Sequence, residues 1–133
     1  MIAQGLKKND TVVTVKLFNI ARSDKNDVIT EIFKSKAILL GSPTINNGYL
    51  SSVALLLDMM AGLKFKNKQA AAFGCYGWSG EAVKLMNDGL AKAGFTVVAA
   101  GLRTSWEPGP DELGQAYAFG ASLPALLTPQ QER

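Results

Sequence analysis

Ala37-Ile38-Leu39-Leu40-Gly41-Ser42-Pro43-Thr44-Ile45-Asn46-Asn47-Gly48-Tyr49 and, further along, Ala71-Ala72-Phe73-Gly74-Cys75-Tyr76-Gly77-Trp78-Ser79-Gly80-Glu81 share one plan. Each is a short apolar run that stops in a loop of glycines, hydroxyls, amides and rings. A run this short and this apolar suits a strand covered on both faces. In an open α/β sheet, loops leaving the carboxyl ends of neighbouring strands form the ligand crevice. The two stretches therefore predict both the fold class and the place to look for a site.

Working outward, residues 1–8 read as the last turns of a helix, closed by Gly5 and the turn Lys7-Lys8-Asn9-Asp10. Thr11–Asn19 mixes alternation with β-branched residues and predicts a strand. Ser23 and Asp24 are N-cap candidates for a helix through Phe33, with Val28, Ile29, Ile32 and Phe33 as its buried stripe. Val53, Leu56, Leu57, Met60 and Leu63 lie at helical spacing, with an end near Gly62. Gln69–Gly74 is a second buried strand. Val83, Met86, Leu90 and Ala93 mark the next helix face, and Gly94 its C-terminal cap. Thr96–Leu102 is a strand, Trp106-Glu107-Pro108-Gly109-Pro110 a rigid loop, and Asp111 opens a last helix through about Leu123, stopped by Pro124. Strands alternating with helices mean a parallel sheet with right-handed crossovers.

The 133 residues, 47% hydrophobic, suit one domain with a real core. Residues 1–127 are expected to form it, with 128–133 as a frayed tail. No apolar stretch approaches the roughly 20 residues needed to span a bilayer, and no secretory signal pattern opens the chain. The single cysteine, Cys75, allows no internal disulfide, so a reducing cytoplasm is the expected compartment. With no histidine and one cysteine, zinc and haem sites built on those ligands are unavailable, and no acidic cluster suggests a metal. The net charge of +3 is interspersed. Its densest stretch, Lys64-Phe65-Lys66-Asn67-Lys68, reads as a solvated turn or a patch for an acidic protein, and nucleic acid is not expected.

In the first loop, Pro43 fixes one torsion, while Asn46, Asn47 and Gly48 tolerate left-handed backbone. Thr44 and the asparagines offer hydrogen bonds to a ring edge; alternatively, the asparagines satisfy their own backbone in an ordinary strand-to-helix loop. In the second loop, Gly74, Gly77 and Gly80 permit close backbone approach, and Tyr76 and Trp78 supply faces for stacking. The combination suits a flat, polar heterocycle such as a flavin. A buried structural role is the competing reading of Trp78. Cys75 has no histidine to activate it as a nucleophile. Trp106 either covers the crevice or packs its loop, and packing is expected.

Gly41–Gly48 together with Phe73–Lys84 resembles the flavodoxin-like domain of flavodiiron proteins, also called A-type flavoproteins, the group of rubredoxin:oxygen oxidoreductases and flavorubredoxins. Val15–Asp24, Met60–Lys68 and Ala93-Gly94-Phe95 support it, and the likeness runs through nearly all of residues 2–127. The resemblance implies a three-layer α/β/α flavodoxin-like fold with a parallel sheet and strand order 2-1-3-4-5. It also implies FMN at the strand ends, held by Ser42, Pro43, Thr44, Ile45, Asn46, Asn47, Gly48, Gly74, Cys75, Tyr76, Gly77, Trp78, Ser79 and Gly80, with no catalytic residue or metal ligand in this chain. In the whole family protein the FMN passes electrons to a di-iron centre in a separate β-lactamase-like domain, fed by a rubredoxin-like carrier or a reductase. Oxygen or nitric oxide reduction by this chain alone is not expected.

Family members open the domain with a strand and a Ser/Thr/Asn-rich loop that grips the FMN phosphate, and this sequence begins beyond both. A helix N-terminus offers free amides and a positive dipole end to phosphate. Losing about three hydrogen bonds to a charged group, at roughly 1.5–3 kcal/mol each, weakens FMN by roughly a thousandfold or more. The expectation is therefore either an FMN electron-transfer domain or a non-catalytic remnant or interaction module with weak or no flavin binding. Exposed sheet edges would allow two copies to associate as a homodimer. A phosphoacceptor receiver domain shares the topology but lacks its acidic cluster.

Overall fold

The sheet is organised around one strand. A computed structural model describes residues 1–8 and 14–126. Its central strand, Gln69–Tyr76, pairs in parallel with Ala37–Gly41 on one side and with both Thr96–Val97 and Leu102–Ser105 on the other. In chain order the elements are α1 (Ile2–Lys7), α2 (Lys25–Lys34), β1 (Ala37–Gly41), α3 (Ser51–Leu63), β2 (Gln69–Tyr76), α4 (Glu81–Lys92), β3 (Thr96–Val97), β4 (Leu102–Ser105) and α5 (Pro110–Leu126). Ala70, Ala71 and Ala72 at the heart of β2 are fully buried. Methyl side chains there let the helices approach the sheet closely, and α4 packs on β2 while α3 packs on α4.

The helices follow the apolar spacing. Asp24 caps α2, its carboxylate accepting from the Asn26 N–H at 2.7 Å, and Val28, Ile29 and Ile32 are buried. Phe33 is half-exposed, because it stands one position off that stripe and meets only the edge of the core at Phe65, ring centroids 4.8 Å apart. On α3, Val53, Leu56, Leu57 and Met60 are buried, whereas Leu63 sits exposed in the last turn, before the left-handed Lys64 cap. On α4, Val83, Met86 and Leu90 are buried as expected, and Gly94 follows with φ +103°.

Several expectations are corrected. Residues 14–19 form no strand; residues 11–13 of the expected Thr11–Asn19 strand lie outside the described residues. A strand exists only where its backbone groups find a ladder, and residues 14–19 pair with none of the described strands. Leu17 is 80% exposed, and an ion pair from Lys16 to Glu31 at 2.8 Å ties the segment to α2 instead. Thr96–Leu102 is not one strand but two short ones in line. The chain bows out at Ala99–Gly101, where Asn87 Nδ2 donates to both the Ala99 and Ala100 carbonyls and Gly101 takes φ +104°.

Gly5 does not end α1 but lies buried inside it, against α5. Pro124 does not stop α5; a proline in the last turn forfeits one backbone bond, and the buried Leu123 beside it holds the turn in place. β2 runs two residues past its expected end, to Tyr76, because Phe73–Tyr76 find partners in β4. Residues 128–133, the expected tail, lie outside the described residues.

Candidate functional site

The loops after β1 and β2 are sewn together by the backbone. The Ser42 N–H donates to the Phe73 carbonyl at 3.2 Å and the Thr44 N–H to the Cys75 carbonyl at 2.9 Å. The first loop thus continues the ladder along β2 before it turns away. Buried Ser42 closes the loop on itself: its hydroxyl donates to the Pro43 carbonyl at 2.8 Å and accepts from the Leu50 N–H at 3.0 Å. A Cβ at Gly74 would collide with the Ser42 carbonyl oxygen. Only glycine lets the loop lie this close across the strand.

Ile45 and Gly48 exchange reciprocal backbone hydrogen bonds of 2.9 Å, with Asn46 at φ 52° and Asn47 at φ 61° between them. Two left-handed residues inside such a bridge make a type I′ turn, for which asparagine is well suited. Gly48 itself does not take a positive φ, so the asparagines, not the glycine, provide the left-handed backbone. Thr44 reaches the other way. Its Oγ1 accepts from the Ala82 N–H at 3.3 Å and so serves the start of α4, whose N-cap, Gly80, has no side chain to do so.

Between the turn and the second loop is a hollow of about 320 Å³, lined by Thr44, Asn46, Asn47, Trp78 and Ser79. The Ser79 hydroxyl donates to Asn47 Oδ1 at 3.3 Å across it. Trp78 is 97% exposed, so it is no buried structural tryptophan. Of the fourteen residues expected at the site, these five meet around one space. Ser42, Gly74 and Gly80 shape the loops behind it, and Pro43, Ile45, Gly48, Cys75 and Gly77 do not line it. Tyr76 is also absent from the lining: it ends β2, and the Arg103 guanidinium lies over its ring, 5.8 Å from the centroid. A wider hollow of about 670 Å³ is lined by Ile45, Asn46 and Gly48 of the same turn and by Leu85, Gly89 and Lys92 of α4. Its walls are more apolar, and it shares Asn46 with the smaller one.

Three groups were not singled out from sequence. Arg103 pairs in register with Gly74 and packs against Gly80. Hydrogen bonding from Ser79 and from its own backbone N–H, with Arg103 nearby, holds the exposed Glu81 carboxyl below the usual carboxylate range. Glu112 accepts from the Ser105 hydroxyl and from the Ser105 N–H at 2.6 Å, anchoring the loop that carries Trp106. Trp106 is 57% exposed beside Gly77, so the expected packing role is only partly met. The signal for Arg103 lies in the strand register, which the sequence alone does not display.

The donor set suits a flat heterocycle: two side-chain amides and two hydroxyls at the rim, an uncovered indole as a wall, and a volume in the range of small-molecule sites. Among the described residues, no group of three or more His, Cys, Asp or Glu could hold a metal ion. No described helix is long and apolar enough to cross a membrane.

A parallel sheet with helices and a loop-lined hollow at its strand ends is the architecture of the flavodoxins, and the chain belongs to the flavodoxin family, whose model matches residues 1–120. Within that family it stands near the larger flavodiiron group, as its loop motifs suggested. It is 47% identical over 122 residues to the anaerobic nitric oxide reductase flavorubredoxin of Shigella dysenteriae, an alignment covering 92% of this chain and 25% of that protein. The flavodiiron protein from Giardia intestinalis superposes with a TM-score of 0.85 at 29% identity, over 95% of this chain and 31% of its own. A flavodoxin from the domain Archaea matches with a TM-score of 0.80 at 26% identity, over 95% and 85% of the two chains. The chain spans about a quarter of the length of the curated relatives it matches.

Proposed function

We propose that this domain is an FMN-dependent electron carrier of the flavodiiron type. The observation that carries the reading is the hollow at the paired ends of β1 and β2, where Asn46, Asn47 and Ser79 face an uncovered Trp78. Bound there, FMN supplies one- and two-electron redox chemistry, and the protein's part is to hold and tune it. Trp78 offers a face for stacking, Asn46 and Asn47 offer amides to the ring edge, and Thr44 and Ser79 offer hydroxyls. The type I′ turn and the ladder bonds of Ser42 and Thr44 keep these groups in place before the ligand arrives. Electrons would pass to a di-iron β-lactamase-like domain and come from a rubredoxin-like carrier or a reductase. Oxygen or nitric oxide reduction belongs to that larger assembly rather than to these residues.

A second reading is favoured by one observation. The outer edge of β1 has no ladder partner among the described residues, and the wholly apolar strand is buried only at Leu40. On this reading the domain is an interaction module that binds flavin weakly; the open edge also invites association of two copies. The test is a titration of FMN and of lumiflavin, which lacks the phosphate, followed by fluorescence quenching and the visible spectrum. Quenching with a perturbed spectrum at micromolar FMN supports the carrier. Equal, weak affinities for FMN and lumiflavin support the second reading. No response to either at millimolar concentration refutes a flavin site, and sedimentation of the same sample decides whether two copies associate.

A further inference from the structure

At the pole opposite the hollow, where β1 and β2 begin, the segments leading into the two strands are fastened together. The rings of Phe33 and Phe65 have centroids 4.8 Å apart. The Lys68 ammonium donates to the Phe33 carbonyl at 2.9 Å and to the Ser35 carbonyl, and the Gln69 N–H donates to the Lys36 carbonyl at 3.1 Å. Lys34, Lys36, Lys64, Lys66 and Lys68 are thereby gathered at one end of the molecule, and residues 32–37 and 62–69 include no acidic residue. The Glu31 carboxylate reaches Lys34 only at 3.9 Å, while its other oxygen holds Lys16 at 2.8 Å.

Cations near helix C-termini complement the helix dipole. That accounts for Lys34 in the last turn of α2, for Lys68 on the carbonyls at its end, and for Lys64 at the end of α3. It does not account for Lys36 and Lys66, which are exposed and make no side-chain hydrogen bond or ion pair among the described residues. Phe33 and Leu63, in the same two segments, are exposed apolar side chains. Like charges gathered in this way repel one another, and an anionic partner that also brings apolar surface relieves both features.

We propose that this pole is a docking surface for an acidic segment of another protein, which sets carboxylates against Lys36 and Lys66 and an apolar side chain against Phe33 and Leu63. Nucleic acid fits less well, because it is gripped by arginine forks and free ring faces. The two segments hold no arginine, and Phe33 is half-covered. An anionic membrane takes apolar side chains that stand clear of the surface, whereas Phe33 leans on Phe65. The eight residues of β2 span about 23 Å between pole and hollow at the parallel-strand rise, so such a partner leaves the hollow open.

The test uses the whole chain at low salt and a fluorescein-labelled peptide of glutamates around one phenylalanine. Binding is expected to weaken as salt rises, because exposed charges are screened. Amide shifts should fall on residues 32–37 and 62–69 and spare the hollow. Lys36→Glu with Lys66→Glu should lower affinity about tenfold or more. Arg22→Glu with Lys25→Glu makes the same change of charge at the other end of α2 and should lower it by less than about threefold. If the reversed pair unfolds the chain, Lys36→Gln with Lys66→Gln is read in its place. No binding at low salt, equal losses in the two charge variants, or shifts centred on the hollow would overturn the proposal. Tighter binding of phosphatidylserine vesicles or of a thymidine oligonucleotide than of the peptide, lost in the pole variant, would overturn it too, by assigning the pole to a membrane or to nucleic acid.

Discussion

Replacing Gly74 by alanine tests whether the close crossing of the first loop over β2 builds the site. An added Cβ would lie far inside the 3.0 Å floor for real contacts with the Ser42 carbonyl oxygen, and at 3.3 Å from Val83 Cγ2. A carbonyl is backbone and cannot swing aside like a side chain. Relief requires the loop to lift by the order of 1 Å, and overpacking of this kind costs typically 1–3 kcal/mol. Lifting also strains the two bonds that bracket the position, from the Ser42 N–H to Phe73 and from the Thr44 N–H to Cys75. For a domain of this size a loss of about 2 kcal/mol lowers Tm by roughly 6–12 °C. Thermal unfolding followed by circular dichroism reads that shift, and a lumiflavin titration reads the displaced turn as weaker binding. Gly77→Ala is the control, because a Cβ there meets only Trp106 Cβ, at 4.0 Å. Native Tm and native affinity in Gly74→Ala, or an equal loss in Gly77→Ala, would refute the reasoning.

Trp78→Ala should leave Tm unchanged, since the indole is 97% exposed, yet weaken flavin about twofold to tenfold through lost stacking. A lower Tm with unaltered binding would point to a structural tryptophan instead. Glu112 bears on acid stability. The Ser105 hydroxyl and the Ser105 and Gly109 N–H groups hold its carboxyl below the usual carboxylate range. Its contribution is therefore complete above the unfolded pKa and disappears as pH falls through the lower folded value. The urea midpoint of the native chain should exceed that of Glu112→Gln near pH 7, with the gap narrowing as pH falls below the ordinary carboxylate range; a gap that stays constant into acid sinks the assignment.

What was legible in the sequence was whatever depends on neighbours a few residues away. The stripe of α4, the cap at Asp24 and the turning power of Asn46-Asn47 are local, and each took its expected form. The two loops could be brought together in advance because β1 and β2 each announce a buried strand, and parallel neighbours end at the same side of a sheet. The failures that reshape the sheet concern pairing across it. Thr14–Asn19 carries strand-forming residues but no ladder receives them, and the β3–β4 strand is broken by a bow whose carbonyls find Asn87. Tyr76 has the composition of a ligand wall, but register sets it beside Ser105 and under Arg103. No pattern of residue types along one chain contains that register, because it is decided by which strand lies alongside.

The same logic explains the glycines of α1 and α5, where two rules of opposite sign compete. Helix propensity favours alanine over an interior glycine by about 1 kcal/mol, and Gly62, exposed on α3 with nothing within 4 Å of an added Cβ, should obey it: Gly62→Ala raises Tm. Gly5 should not. A Cβ there would strike the Tyr117 carbonyl and stand 2.8 Å from the Ala121 nitrogen, while one at Gly120 would strike the Ile2 carbonyl. The overpacking cost of 1–3 kcal/mol exceeds the propensity gain, so Gly5→Ala and Gly120→Ala both lower Tm. The six-residue α1 cannot persist as a helix without α5. Undocking should therefore appear as faster amide exchange at Gly5 and Lys8, whose N–H groups donate to Met1 and Gly5. If Gly5→Ala stabilises the protein as Gly62→Ala does, propensity rules at both positions and the close packing of α1 on α5 is not what holds that helix in place.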